Sequence, residues 1–383
     1  MKVAFLINPI AGLGGTVALK GTDGLAKEAI RLGATPVSPV RAETFFRTLD
    51  KQISNDIRKE LNFFVPKSPM GEQIISKFTF KYDILSVPNQ NNETTAEDTK
   101  IAVKYFEEQK VDLILFVGGD GTSIDVGTSI TNKTPILGIP SGVKTYGAVF
   151  SHSPEEAVTI LLAFFRTKSI QEAELLDLDE EQYKKGLISI SLKGIAKVPA
   201  FPEFLQHGKE RVEITESEEN TLERIADEIL DILSMVKTPP LIIIGPGSTF
   251  SPLGRKMNIS RSILGVDCVT VNNQGNFTML IKDAREDQIF NLLTEYTEIF
   301  ILITPIGGMG YILGRGNHQI SPRIVKKVLK KHLLIACTKR KLKTIMNEAL
   351  RIDTSDEELN SQMNGYIRVI TDVNEQQMVR VIH

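Results

Sequence analysis

Cysteine is almost missing from this chain of 383 residues: there are two, Cys268 and Cys337. Both sit inside apolar runs, Val266-Asp267-Cys268-Val269 and Leu334-Ile335-Ala336-Cys337. They leave no room for a disulfide framework and read as small buried core residues in a reducing cytoplasm. Histidine is also scarce, and its five scattered copies show no metal-ligand spacing. The chain lacks any strong excess of one charge. A formal net charge of −2 excludes a large nucleic-acid footprint, which needs a basic excess. The local stretch Lys339-Arg340-Lys341 reads as a solvated helix end. No apolar run approaches membrane-spanning length, so no membrane partner is expected. The first run, Val3-Ala4-Phe5-Leu6-Ile7, is too short for a signal peptide and stops at Asn8-Pro9; it reads as a strand. Internal repeats and low-complexity tracts are absent.

What remains is an ordinary soluble composition, 42% hydrophobic and 24% charged, in a chain long enough for two cored domains. Residues 1–150 alternate strand and helix, which predicts a doubly wound parallel sheet. Strands are expected at residues 2–8, Tyr82–Val87, 113–117 and Pro135–Ile139. Helices are expected after Asp23, after Thr94 or Thr95 with Glu97 or Asp98 completing a capping box, and after Ser153-Pro154 with Glu156. The helix after Thr95 carries the apolar stripe Ile101, Ala102, Tyr105 and Phe106. Residues 151–215 read as a β-rich connector, in which Leu187–Leu192 and Ile195–Val198 suggest a hairpin turning at Lys193-Gly194. Residues 216–383 read as a second α/β domain with glycine loops. It opens with a long amphipathic helix through Leu222, Ile225, Ile229, Leu233 and Val236. Asp283 and Glu286 stand in capping-box positions for a further helix, and Ser321-Pro322 starts another.

The most informative junction is Leu113-Ile114-Leu115-Phe116-Val117 followed by Gly118-Gly119-Asp120-Gly121-Thr122. Five large apolar residues without alternation predict a strand buried on both faces. Ligands of open α/β sheets sit at the carboxyl ends of such strands. Glycines let a ligand approach the main chain, and bare amides suit phosphate oxygens. A carboxylate held there serves a phosphate-containing substrate. The plainer alternative is a tight turn with Asp120 as a solvated cap. Two familiar phosphate loops are excluded. No stretch ends in the Gly-Lys-Ser/Thr of a P-loop, and Gly245-Pro246-Gly247 has Phe250 where a Rossmann fingerprint needs its third glycine.

The Gly-Gly-Asp-Gly-Thr loop resembles that of the superfamily joining NAD kinases, diacylglycerol and sphingoid-lipid kinases, and 6-phosphofructokinases. Further blocks are similar to the ATP-NAD kinase branch related to the acetoin-catabolism X protein. These are Asn8-Pro9 with its glycines, Leu19-Lys20-Gly21-Thr22-Asp23, Gly138-Ile139-Pro140-Ser141-Gly142-Val143-Lys144, Gly245-Pro246-Gly247-Ser248-Thr249, Leu264-Gly265-Val266-Asp267, Thr304-Pro305-Ile306-Gly307-Gly308 and Gly314-Arg315-Gly316-Asn317. The resemblance implies an N-terminal domain of the NAD kinase type. It also implies phosphoryl transfer from ATP, or polyphosphate, to the 2′-hydroxyl of NAD, giving NADP. The catalytic acid of the family falls on Asp120. A carboxylate near its ordinary pKa of about 3.9 is a weak base, which suffices where positioning dominates a loose transition state.

Under that resemblance Gly118, Gly119, Gly121 and Thr122 cradle phosphates and Asn8 faces them. Ser141, Gly142 and Lys144 continue the binding surface. In the second half Gly247, Ser248, Thr249, Gly307, Gly308, Arg315 and Asn317 are the candidates. Ser248 and Thr249 are placed to cap a helix, and a guanidinium such as that of Arg315 suits phosphate or carboxylate. Mg²⁺ is expected with ATP, and no dedicated carboxylate cage is visible. Small-molecule nucleotides are the expected partners, together with a second copy of the chain, in the cytoplasm. The chain departs from ordinary NAD kinases at the Asn-Glu pair that holds NAD. Its nearest acidic pair here is Asp179-Glu180, which reads equally well as a helix or turn start. Gly138-Ile139-Pro140-Ser141-Gly142 also replaces a Gly-Ile-Asn-x-Gly block. The alternatives are a kinase of the same fold acting on a lipid or polyol hydroxyl, and a nucleotide sensor without turnover.

Overall fold

A strand that is apolar at every position has to be covered on both faces, and the first half of the chain is built on that requirement. In the computed structural model, which describes residues 1–17, 26–85, 94–141, 145, 147–178, 190–201, 216–306, 310–328, 332–345, 349–354 and 356–383, the chain folds as two units. One comprises Met1–Leu13 and Gly21–Lys209, the other Gly14–Lys20 and Glu210–His383.

The first unit holds β1 (Lys2–Ile7), β2 (Asn62–Pro66), β3 (Tyr82–Leu85), β4 (Leu113–Gly118) and β5 (Ile136–Pro140). They form an all-parallel sheet in the order β3-β2-β1-β4-β5. Every residue of β4 and β5 is buried, and the helices Ser38–Gln52, Ala96–Glu108 and Pro154–Thr167 contribute to the same core. The doubly wound parallel α/β sheet expected from the alternation is therefore present. Phe46 stands at the centre of an aromatic cluster, with ring centroids 4.8 Å from Phe5, 5.2 Å from Phe45 and 5.4 Å from Phe63. The caps match their sequence signals. Thr95 and Asp98 form a capping box, and Ser153 Oγ accepts from the Glu156 amide at 3.1 Å. The helix after Thr95 buries Ala102, Val103 and Phe106 and leaves Tyr105 exposed, so its stripe is rotated slightly from the expected one.

Three departures have physical reasons. The sequence reading passed over β2 and the helix Ser38–Gln52, although Ser38-Pro39 carries the same start signal as Ser153-Pro154. The hairpin expected at Lys193-Gly194 does not form. Instead β6 (Ile170–Leu178) and β7 (Ile190–Pro199) pair antiparallel, and the register steps from Leu175↔Gly194 to Leu176↔Leu192. Lys193 is the extra residue of a β-bulge, so the glycine marks a bend within one strand. The helix Glu286–Leu292 is capped at Arg285, whose amide donates to Gln288 Oε1 at 2.9 Å, and not through Asp283. Residues 18–25, Ser86, Val87, Asp179, Glu180 and Leu187–Ser189 fall outside the described residues.

The second unit is also α/β. Its strands are β8 (Leu241–Ile244), β9 (Asp267–Val271), β10 (Phe277–Ile281), β11 (Ile299–Ile303), β12 (Tyr311–Leu313), β13 (Leu333–Ala336), β14 (Ala349–Ile352), β15 (Gly365–Asp372) and β16 (Glu375–Ile382). They form a mixed sheet in the order β10-β9-β8-β11-β13-β15-β16-β14-β12, with β8, β11, β13 and β15 parallel. Leu241 and Ile243 pack into one core, while Ile242 and Ile244 face another that holds Leu222, Ile225, Ile229 and Leu233 of the amphipathic helix Glu216–Ser234. This unit also includes a contact far apart in the chain: the Glu286 amide donates to the Thr16 carbonyl at 3.1 Å.

Two outcomes follow from burial. Burial pushes both thiols up to about 12, helped at Cys268 by Asp267 and opposed at Cys337 by Lys341. Neither cysteine is a thiolate at pH 8, so a thiol-reactive dye should label native protein negligibly and both residues once it is unfolded in guanidinium. Glu107 is buried, yet its carboxylate accepts from the Thr131 amide and hydroxyl at 2.8 and 2.7 Å and from the Asn132 amide at 2.8 Å. Burial alone would raise its pKa; these hydrogen bonds outweigh it and hold the group below its ordinary value. A depressed folded value gives stability that is present above the unfolded pKa of about 4.3 and lost as pH falls through the folded one. Glu107→Gln should lower urea stability by about 1–3 kcal/mol at pH 7, and the gap should narrow as the pH drops below about 4.

Candidate active site

In a sheet ordered 3-2-1-4-5 the winding reverses between β1 and β4, and the carboxyl ends of that pair open a crevice for ligands. β1 ends at Ile7 and delivers Asn8. β4 ends at Gly118 and delivers Gly119 and then the helix Asp120–Ser129; β5 ends at Pro140 and delivers Ser141. Three neighbouring strands therefore bring Asn8, the glycine loop and Ser141 to one edge. Main-chain bonds lock them together, Asn8 N to Val117 O at 2.9 Å and Ser141 N to Gly118 O at 3.0 Å.

The loop is tight because the chain turns directly from strand into helix. A side chain at Gly118 would put its Cβ 2.5 Å from Thr122 Cβ and 2.6 Å from Thr122 Oγ1, so only glycine fits there. Asn8 Nδ2 donates to Thr122 Oγ1 at 3.0 Å, while Asn8 Oδ1 accepts from the Ile10 amide at 3.2 Å. Thr122 and Ser141 are buried, and Ser38 Oγ lies 2.9 Å from the Ala11 carbonyl oxygen and 3.0 Å from Ser141 Oγ. Asp120 is half-buried at the first position of its helix, and its Oδ1 accepts from the Gly147 amide at 3.0 Å. The first-turn amides of that helix have no carbonyl partner within it, which with the helix dipole favours an anion. Among the described residues no group of three His, Cys, Asp or Glu side chains could hold a metal ion. The loop thus supplies a fixed carboxylate beside anion-seeking amides. Sequence reasoning did not find Ser38 and Gly147, which act through chain-distant contacts.

In the second unit Gly245 N donates to Leu302 O at 2.8 Å, placing the loops after β8 and β11 at the same sheet edge, as expected. Gly247 has φ +123°, and a Cβ there would meet Thr304 Cγ2 at 2.7 Å. The expected helix cap by Ser248 or Thr249 is absent. The chain forms a 3₁₀ turn at Ser248–Phe250, then the short helix Ser251–Lys256, neither with a side-chain cap. Ser248 is exposed, and Thr249 instead meets the Thr304 hydroxyl at 3.0 Å. Arg315 and Asn317 are both buried. Arg315 Nε donates to Asp353 Oδ2 at 2.9 Å, its guanidinium lies 4.7 Å from the Tyr311 ring centre, and its two terminal nitrogens are enclosed without an acceptor. Asn317 Nδ2 donates to the Ile312 carbonyl at 2.8 Å.

The Leu264-Gly265-Val266-Asp267 block has a structural explanation. Asp267 accepts from the Ser262 and Asp283 amides at 2.7 and 3.0 Å, with Arg261 Nε at 3.5 Å. Burial pushes the Asp267 carboxyl up and the Arg261 guanidinium down. Lys341 is the residue missed by sequence. Lys339 and Arg340 are exposed as a solvated helix end requires, but Lys341 turns inward and its Nζ donates to Thr304 Oγ1 at 3.0 Å. Gly142, Lys144, Gly307 and Gly308 lie outside the described residues.

No curated protein matches the chain. Among solved structures it is similar to an NAD kinase from Archaeoglobus fulgidus in complex with ATP, at 19% identity and a TM-score of 0.18, over 31% of this chain and 42% of that one. It is also similar to a UDP-N-acetylglucosamine 2-epimerase at 10% identity and a TM-score of 0.25, over 94% of this chain and 85% of that one. A third likeness, the Neisseria meningitidis UDP-GlcNAc 2-epimerase bound to UDP-GlcNAc, has 12% identity and a TM-score of 0.24, over 94% and 89%. At such TM-scores these likenesses carry no argument. The family models do. The ATP-NAD kinase N-terminal domain matches residues 4–169 and the ATP-NAD kinase C-terminal domain residues 240–381. With both domains in order along one polypeptide and the glycine loop inside the first, the chain belongs to the ATP-NAD kinase family.

Proposed function

We propose that this chain transfers a phosphoryl group from ATP, or from polyphosphate, to the 2′-hydroxyl of the adenosine ribose of NAD, giving NADP. The observation that carries the reading is the placement of Asp120. Its carboxylate stands at the start of a helix on the switch-point edge, with one oxygen held by the Gly147 amide. The carboxylate is proposed to orient an acceptor hydroxyl and take its proton late in the transfer. Gly118, Gly119, Gly121 and Thr122 offer main-chain amides to donor phosphates, and Asn8 fixes Thr122 from the neighbouring strand. Ser141, Gly142 and Lys144 are proposed to take part in the same binding. In the second unit Gly247, Ser248, Thr249, Gly307, Gly308, Arg315 and Asn317 are the proposed contacts. The enclosed terminal nitrogens of Arg315 fit an anionic oxygen.

The described residues fit no Mg²⁺ cage of the protein's own. Mg²⁺ is proposed to arrive with ATP as part of the substrate, and no step is assigned to a protein-bound ion. Among the described residues no helix is long and apolar enough to cross a membrane.

Purified protein supplied with ATP, Mg²⁺ and NAD should form NADP, and Asp120→Asn should cut kcat by about 10²–10⁴-fold with unchanged circular dichroism. Turnover of a lipid or polyol hydroxyl but not NAD would overturn the acceptor. NAD binding without turnover in wild type and variant alike would make the protein a sensor. Asn8→Ala should raise the KM for the donor about tenfold, because it frees Thr122 and removes a polar group facing the phosphates. An unchanged donor KM would remove Asn8 from the site.

A further inference from the structure

The carboxyl ends of β8, β11 and β13 are adjacent and parallel, and three polar side chains meet there. β11 runs into Thr304, β13 runs through Cys337 into Thr338 and the helix Lys339–Thr344, and the loop after β8 carries Gly247 and Thr249. Thr249 and Thr304 are buried, with their hydroxyls 3.0 Å apart, and Lys341 Nζ donates to Thr304 Oγ1 at 3.0 Å. Lys341 as a whole residue is half-buried.

Among the described residues Lys341 has no ion-pair partner. The acid nearest in influence, Glu218, instead accepts from the Thr338 hydroxyl at 3.0 Å and from Arg340 at 3.3 Å. Burial pushes the Lys341 amine below the usual lysine range, with Cys337 and Glu218 working against that shift. An ammonium drawn out of water with no ion pair among the described residues is an unfavourable arrangement in a purely structural role. Its Thr304 bond uses one of three N–H donors. The remaining two, which meet no acceptor among the described residues, suit an oxyanion at the strand ends where α/β sheets receive ligands.

We infer that Lys341, with Thr304 and Thr249, forms a phosphoryl-binding site in the second unit. A diphosphate oxygen bound there would accept from the ammonium, and Thr304 would hold the amine in line. The inference stands on the second unit alone and does not require the kinase reading.

Site-specific acetylation read by mass spectrometry tests it without turnover. Inorganic pyrophosphate should slow acetylation of Lys341 at least fivefold, while exposed Lys339 two residues away reacts unchanged. The protection should persist in Asp120→Asn, so loss of kinase activity and loss of this site are distinguishable. Parallel arms with NAD and with ATP identify the source: whichever nucleotide protects Lys341 supplies the phosphate. Lys341→Met should weaken calorimetric binding of the protecting ligand about tenfold, and Lys341→Arg should keep it within about threefold. Equal acetylation of Lys341 with and without pyrophosphate, NAD and ATP would overturn the inference. So would undiminished binding in a folded Lys341→Met protein.

Discussion

Asn8 holds two strand ends together, and the geometry of the first unit's site depends on it. Its amide bonds back to Val117 of β4, its side-chain nitrogen reaches Thr122 in the helix that follows β4, and its side-chain oxygen closes the turn to Ile10. One residue at the switch point thus ties the end of β1 both to β4 and to the helix that follows it. Thr122 then faces Gly118 so closely that no other residue fits there. The position of the Asp120 carboxylate follows from that packing, since it stands at the first turn of the same helix. Such a site is preorganised by the sheet edge and does not wait for a ligand to shape it.

The two units use different physical means at equivalent places. At the strand ends of the first, main-chain amides and a helix start provide positive potential without a mobile charge. At the strand ends of the second, potential comes from the Lys341 ammonium, steadied by a threonine hydroxyl. Amides are fixed in direction and cannot lose a proton. An amine can, and its state therefore responds to whatever lies beside it. Arg315 is a third case. A guanidinium held through Nε by Asp353 presents its two terminal nitrogens in a defined orientation.

Much of this was legible in the sequence wherever a local signal carried its own physical cause. β4 showed in five apolar residues without alternation, the Thr95 and Ser153 caps in their spacing, and the switch-point loop in three glycines around one acid. Where meaning depended on distant residues, the sequence misled. Lys193-Gly194 has the composition of a turn, and only the partner strand makes it a bulge. Ser248 and Thr249 have the composition of a cap, but the Thr304 hydroxyl draws Thr249 away. Lys341 looked like its solvated neighbours because a charge run gives no hint of which member faces inward. Ser38 carried only a helix-start signal and Gly147 none; their contacts at the site exist only through Ser141 and Asp120.

The bond between the Glu286 amide and the Thr16 carbonyl has a consequence for biosynthesis. Thr16 leaves the ribosome before β2, while the element that receives it is made only after the whole first sheet. The growing chain must therefore keep that early segment available while the parallel strands around it assemble. Long-range pairings of this kind form late and slowly. The second unit thus draws one of its contacts from a stretch of messenger translated ahead of most of the first sheet.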